Sequence, residues 1–140
     1  NFAAVVEKIR LLRDRFEEHI FARIPEVHVN GSPTKRVCNT SNLRFDGVDG
    51  EALVARLDQA GVRCSQGSAC TNQRPEPSYV LRAMGLSEQQ AWSSLRFSFS
   101  ELNTQEDVDF AVHCIANLVA QLRSFSGWVQ NPNENLKEVG

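Results

Sequence analysis

The residue of this sequence best suited to nucleophilic chemistry is Cys70. It lies in GSACTNQ, residues 67–73, where its neighbours are small or polar and offer almost no apolar cover. A cysteine that only packs is normally surrounded by bulky apolar side chains, whereas a reactive thiol needs solvent access and thiolate character. We therefore predict that Cys70 lies on a mobile loop. From its neighbours alone, a functional thiol and a small structural side chain both stay open.

Arg96 is the residue best suited to hold a small anion. It lies in SSLRFSF, residues 93–99, where apolar and polar side chains alternate as in a strand with one buried face. A guanidinium fork binds a carboxylate through two parallel hydrogen bonds, and the neighbouring serines leave room for a small ligand. The alternative is an edge-strand arginine whose charged end reaches water, and spacing alone favours that alternative.

The remaining cysteines and the histidines do not have the spacing of metal ligands. Cys38, Cys64 and Cys114 form no pair with the two-residue spacing of a zinc knuckle, and the three histidines are scattered. We expect no metal site, and we expect these three cysteines to be small buried side chains. The first residues do not resemble a secretory signal, so we expect the cytoplasm or an organellar matrix, where structural disulfides are rare.

Composition excludes several classes of function. The 140 residues carry a net charge of −2 and are 41% hydrophobic, which is enough for one domain with its own core. The charge gives no basic surface for nucleic acid. No apolar run approaches the roughly 18 residues of a membrane span.

The hydrophobic periodicity predicts the elements that position Cys70 and Arg96. Residues 1–24 read as an amphipathic helix whose apolar positions start at Phe2, and Pro25 ends it. The fold class is α/β or α+β, with a small, mostly antiparallel sheet covered by helices. We predict a domain over residues 1–126 and a partly ordered tail over 127–140. Strands are predicted at 27–30, 36–45, 62–65 and 93–99, and further helices at 50–61, 76–85, 87–92 and 104–125.

Four motifs in order resemble the NifS/IscS-type cysteine desulfurases, which are fold-type I enzymes of the class V aminotransferase family. They are GSACT at 67–71, EPSYVLRAMG at 76–85, SLRFS at 94–98 and TQEDVD at 104–109. The likeness runs from about residue 36 to 123. It implies that the chain is the C-terminal small domain of such an enzyme, and that pyridoxal 5'-phosphate is bound by a separate large domain.

The resemblance also implies roles for the two candidate residues. Arg96 would bind the carboxylate of L-cysteine, and the Cys70 thiolate would attack the substrate sulfur. The products would be L-alanine and a persulfide on Cys70, which passes to an acceptor such as an iron–sulfur scaffold protein. The full-length enzyme would be a homodimer.

Lysine placement agrees with a missing cofactor domain. Pyridoxal phosphate forms a Schiff base with a lysine, and Lys8, Lys35 and Lys137 lie in a helix, a turn and the tail. None has small, glycine-rich surroundings, and no phosphate-binding glycine loop is present. We therefore expect no cofactor-binding residue in this segment and no activity from it alone.

Two departures from the family pattern and two rival functions stay open. The family usually has two serines before the glycine of GSACT, and the differences here are Cys64 and Gln66. Cys64 either forms a disulfide with Cys70 on oxidation or is simply buried. Arg74 either lowers the pKa of the nearby thiol or is solvated.

One rival function is that of a selenocysteine lyase. The other is a stand-alone persulfide carrier or redox thiol module without catalysis.

Overall fold

The computed structural model describes residues 1–31, 38–66, 68–71, 74–77 and 87–129, and for 68–71, 74–77 and 88 it describes the backbone alone. The helices of these residues are α1 (Phe2–Arg23), α2 (Gly50–Gln59), α3 (Glu88–Trp92) and α4 (Gln105–Ser126). The strands are β1 (Val27–Val29), β2 (Thr40–Phe45), β3 (Ser65–Gln66), β4 (Ser68–Thr71), β5 (Arg74–Pro77) and β6 (Ser94–Ser98).

Four of these strands form an antiparallel sheet in the order β1-β2-β6-β3. Strands β4 and β5 form a separate two-stranded antiparallel ribbon. The predicted fold class, a small antiparallel sheet covered by helices, is confirmed. Arg96 does not lie on an edge strand, because β6 is hydrogen-bonded to β2 on one side and to β3 on the other.

One face of the four-stranded sheet forms the core with α1, α2 and α4. Leu95 and Phe97 point into it, as the alternation in β6 predicted. The Phe16 ring of α1 packs 4.9 Å from the Phe97 ring, measured between centroids. Phe2, predicted on the apolar face of the first helix, is instead 84% exposed, because α1 contacts the core only from its second turn onward.

Local capping sets where α2 ends and where β3 begins. Gly61 has a φ of 92° and donates its N–H to Asp58, while Val62 donates to Leu57 at 2.8 Å. This pair of bonds is a Schellman ending, as Gly61 predicted. Because Val62 belongs to the helix ending, the predicted strand at 62–65 is shorter than expected and starts at Ser65.

Another predicted boundary is wrong. The helix predicted at 76–85 does not begin at residue 76, because Glu76 and Pro77 lie in β5. Residues 78–86 are outside the described part of the chain, as are Val37 of the predicted second strand and residues 130–140 of the predicted tail. Ser87 and Gln90 form the expected capping box of α3. In the described residues, no helix is both long enough and apolar enough to cross a membrane.

Arg123 connects the C-terminal end of α4 to the chain segments at residues 25–26 and 46 through hydrogen bonds. Its guanidinium, 5% exposed, donates to the carbonyl oxygens of Pro25, Glu26 and Asp46 at 2.7, 3.1 and 3.0 Å. The Trp128 ring covers the same guanidinium at 4.2 Å. The sequence pattern had not indicated this role, since an arginine on an amphipathic helix is usually solvated.

Candidate active site

The face of the four-stranded sheet that points away from the core is lined by polar side chains, and we call it the polar face. Side chains alternate between the two faces of a strand, and cross-strand partners share a face. Its members are His28, Asn30, Thr40, Asn42, Arg44, Ser65, Ser94, Arg96 and Ser98.

Arg96 lies at the centre of the polar face. Its cross-strand partners are Asn42 in β2 and Ser65 in β3. Its chain neighbours Leu95 and Phe97 are 0% and 4% exposed, so the strand beneath Arg96 is held by the core while its own side chain is exposed. Across the described part of the chain, no residue forms a hydrogen bond or an ion pair with the Arg96 guanidinium. This leaves its five N–H donors available to a ligand.

A second arginine on the same face is already paired. Arg44 Nε lies 2.9 Å from Asp46 Oδ1, and His28 Nε2 lies 3.1 Å from Asp46 Oδ2. The carboxylate therefore neutralises charge at the β1 side of the polar face. Positive charge that is free to attract an anion is concentrated at Arg96.

A hydrogen-bond network organises the residues beside Arg96. Asn30 Nδ2 donates to Asn42 Oδ1 and to Ser94 Oγ, each at 2.9 Å, and the Ser94 hydroxyl donates to the Gln90 carbonyl at 2.8 Å. Asn30 is 8% exposed and Ser94 is fully buried. These bonds fix the orientation of the Asn42 amide. Neither asparagine was singled out from the sequence, although the alternation in TSNLRF already put Asn42 on the polar side.

Cys70 lies a few residues after β3, the strand that pairs with β6 at Arg96. Ser65 is five residues before it, so the two Cα atoms are at most about 18 Å apart in a fully extended chain. The backbone of Cys70 lies in β4, opposite Pro75 of β5. The prediction that Cys70 lies on a loop is therefore wrong. Proline fits in an edge strand such as β5 when its missing N–H faces away from the partner strand, and this allows the ribbon to form.

The strand that leads to the ribbon is anchored to α3. Gln66 Nε2 donates to the Trp92 carbonyl at 3.1 Å. A Cβ at Gly50 would meet that same carbonyl oxygen at 2.2 Å, so the contact between α2 and α3 requires glycine there. Gln66, the last described residue before the ribbon, is thus held against the end of α3.

The other three cysteines are free thiols that are half-buried. Cys64 and Cys114 pack against the core, as expected, whereas Cys38 lies in the turn before β2. Burial, with a smaller contribution from Asp58, raises the pKa of Cys64 to about 12. Cys64 is therefore a neutral thiol rather than a nucleophile. Among the described residues, no cluster of histidine, cysteine and acidic side chains could hold a metal ion.

The described residues do not provide a Schiff-base lysine. Lys8 is exposed on α1 and donates to the Glu101 carbonyl at 2.5 Å, on the helical side of the sheet. Lys35 and Lys137 lie outside the described part. The polar face thus has an arginine whose N–H donors have no partner among the described residues, and no described lysine lies on it.

Comparison with known families defines the class of protein. The family model for aminotransferase class-V matches residues 1–110. The chain therefore belongs to the aminotransferase class-V family, whose members generally depend on pyridoxal phosphate.

Individual relatives are cysteine desulfurases. The chain is 38% identical over 143 residues to a cysteine desulfurase of Trichormus azollae, covering 97% of this chain and 36% of that protein. It is 45% identical over 120 residues to the cysteine desulfurase IscS of Stutzerimonas stutzeri, covering 86% and 29%. The chain thus spans about a third of the length of the curated relatives it matches.

A solved structure has the same fold. The X-ray structure of a NifS-like protein from Rickettsia africae superposes with a TM-score of 0.73 at 25% identity, over 86% of this chain and 30% of that chain. Together with the family model and the relatives, this match confirms the resemblance noted in the sequence.

Proposed function

We propose that the chain is the small domain, residues 1–126, of a cysteine desulfurase. The full-length enzyme removes sulfur from L-cysteine to give L-alanine and a persulfide on Cys70. The observation that carries the proposal is the guanidinium of Arg96, which has no partner among the described residues and lies at the centre of the polar face, one strand from the segment that leads to Cys70. The cysteine desulfurase names of the relatives support it further.

Arg96 is proposed to hold the substrate by its carboxylate. A guanidinium matches a carboxylate with two parallel N–H···O bonds. The side chains opposite it, Asn42 and Ser65, are short and polar, so a small amino acid has room above the sheet. Because Arg44 is paired with Asp46, the two arginines do not compete for the same ligand.

Cys70 is proposed to take the sulfur. Its thiolate attacks the substrate sulfur, a sulfur–sulfur bond forms, and the carbon–sulfur bond of L-cysteine breaks. The electron pair of that bond stays on carbon, which takes up a proton and becomes the methyl group of L-alanine. The atoms of one L-cysteine and one thiol thus equal those of one L-alanine and one persulfide, and no outside oxidant is required.

Pyridoxal 5'-phosphate, when bound, supplies the electron sink that makes the carbon–sulfur bond labile. The cofactor lysine is proposed to lie in a large domain of the full-length enzyme, since this chain spans about a third of the length of its curated relatives. The persulfide is then passed to an acceptor, for which an iron–sulfur scaffold protein is proposed. The full-length enzyme is proposed to be a homodimer of the cytoplasm or an organellar matrix.

The decisive experiment replaces Cys70 with alanine in the full-length protein. We expect loss of persulfide and of L-alanine formation from L-cysteine, while the visible absorbance of the bound cofactor is unchanged. Cys38→Ser is the matched control, since Cys38 is a free thiol in a different part of the fold. Alanine production at the normal rate by Cys70→Ala would refute the proposal.

Two assays separate the rival functions. Turnover of L-selenocysteine with negligible turnover of L-cysteine would favour a selenocysteine lyase. Persulfide uptake from a donor by the isolated chain, together with an inactive full-length protein, would favour the carrier module.

A further inference from the structure

The structure places a second donor beside Arg96. We propose that the side-chain amide of Asn42 binds the substrate carboxylate together with Arg96, and so acts as a specificity-determining residue. The inference rests on the proposed function, because it concerns the same site.

The backbone register brings the two side chains together. Asn42 and Arg96 are direct cross-strand partners of β2 and β6. Such partners have Cβ atoms about 4.5–5.5 Å apart, which is close enough for both to reach one carboxylate. Asn42 is half-buried while Arg96 is exposed, so the amide lies lower in the site.

A hydrogen bond from Asn30 sets the orientation of the Asn42 amide. Its oxygen accepts a hydrogen bond from Asn30 Nδ2 at 2.9 Å, and Asn30 is itself held by its bond to Ser94. An amide whose oxygen is engaged presents its NH₂ group to its surroundings. Within the described part of the chain, no acceptor takes a hydrogen bond from that NH₂ group.

Two adjacent donor groups that have no partner in the described part of the chain match the acceptor capacity of a carboxylate. Each carboxylate accepts about four hydrogen bonds, and the two bonds of a guanidinium fork leave further lone pairs. A neutral amide donor adds to binding without adding charge. The pair therefore selects amino acids with a free carboxylate over amines that lack one.

The sharpest variant is Asn42→Asp in the full-length enzyme. An aspartate keeps the oxygen that accepts from Asn30, so the network and the fold are retained. It replaces the donor by a negatively charged oxygen that repels the substrate carboxylate. Asn42→Ala is the second variant, and it removes the donor without adding charge.

Steady-state kinetics with L-cysteine provide the first readout, and competitive inhibition by cysteamine provides the second. Cysteamine is L-cysteine without its carboxylate. For Asn42→Ala we expect KM for L-cysteine to rise about tenfold with kcat nearly unchanged, as for loss of one hydrogen bond to a charged group. Asn42→Asp should raise KM further. The inhibition constant of cysteamine should stay the same in both variants.

Controls separate this inference from the proposed function. His28→Gln changes a polar-face residue two strands from Arg96 and should leave KM unchanged. If Asn42 variants keep the normal KM while Arg96→Ala raises it, the inference is wrong and the proposed function stands. An equal rise in KM for L-cysteine and in the inhibition constant of cysteamine would indicate a merely structural role for Asn42. That result would also overturn the inference. If neither Asn42 nor Arg96 affects KM, both the inference and the proposed carboxylate site fail.

Discussion

Ser65 and Arg96 are cross-strand partners, and Ser65 is also five residues before Cys70. The strand that borders the proposed carboxylate site therefore continues into the ribbon that carries the proposed nucleophile. A substrate held at Arg96 and a thiol delivered by β4 are thus connected through β3. The following predictions test this arrangement and the fold that supports it.

Both the fork geometry of Arg96 and its charge should contribute to substrate binding. Arg96→Lys keeps the positive charge but cannot form two parallel bonds, so we expect KM for L-cysteine to rise about tenfold or more. Arg96→Ala should raise it about a hundredfold. The matched control is Arg44→Lys, because Arg44 lies on the same face but is paired with Asp46. Steady-state kinetics of the full-length enzyme measure these effects, and equal KM changes in both lysine variants would contradict the assignment.

Cys64 should resist alkylation when the protein is folded. Its pKa is raised to about 12 by burial, so at pH 8 it is almost entirely a neutral thiol, and thiols react as thiolates. We expect iodoacetamide to label Cys38 well before Cys64, as read by peptide mass spectrometry over time. Rapid labelling of Cys64 in the native protein would show that it is solvent-accessible.

The same pKa shift predicts a pH dependence of stability. Because the folded-state pKa of Cys64 lies above its value in the unfolded chain, the unfolded chain releases this proton first as pH rises. The contribution of the neutral Cys64 thiol to the free energy of unfolding is fully present below about pH 8.5, the ordinary cysteine pKa. This contribution declines as pH rises toward about 12. Cys64→Ala should show a smaller decline in urea unfolding between pH 8 and 10. An identical pH profile in both proteins would contradict the shift.

Gly47 and Gly61 form a matched pair for testing the Trp128 contact. Both have positive φ, 78° and 92°, so alanine costs about 1–2 kcal/mol of backbone strain at either position. A Cβ at Gly47 would also lie 2.2 Å from the Trp128 ring, whereas a Cβ at Gly61 meets nothing within 4 Å. Gly47→Ala should therefore destabilise the chain more than Gly61→Ala in chemical denaturation. Adding Trp128→Ala should remove most of that excess, and an unchanged excess would contradict the contact.

Arg123 should be a large single contributor to stability. Methionine there leaves the carbonyls of Pro25, Glu26 and Asp46 without their donor, and we expect a loss of about 2–4 kcal/mol in the free energy of unfolding. The exposed Arg56 of α2 provides the comparison, since Arg56→Met should change stability by less than about 0.5 kcal/mol. A similar small change for Arg123→Met would show that the three hydrogen bonds are dispensable.

Much of the fold follows from local signals in the sequence. Period-2 alternation located β6 and oriented Leu95, Phe97 and Arg96, since one face of the strand is buried. Capping residues located the end of α2 at Gly61 and the start of α3 at Ser87. These signals are local, so they can be read without knowing what the elements pack against.

The parts that could not be predicted depend on contacts distant in sequence. That β6 is an inner strand depends on pairing with β2 and β3, which no local pattern encodes. The buried role of Arg123 depends on three carbonyls more than 70 residues away. The orientation of Asn42 likewise depends on Asn30, and the assignment of Cys70 to a strand depends on its pairing with residues beyond 73.

The separation of the two sheets has a consequence for how the domain can change over time. The ribbon begins at Ser68, after the anchor at Gln66, and its pairing is internal to β4 and β5. A relative could lengthen or shorten β4 and β5 and so alter how far the proposed sulfur carrier reaches, while the hydrophobic core behind β6 keeps its packing. The length of the ribbon can therefore change during evolution with few changes to the core.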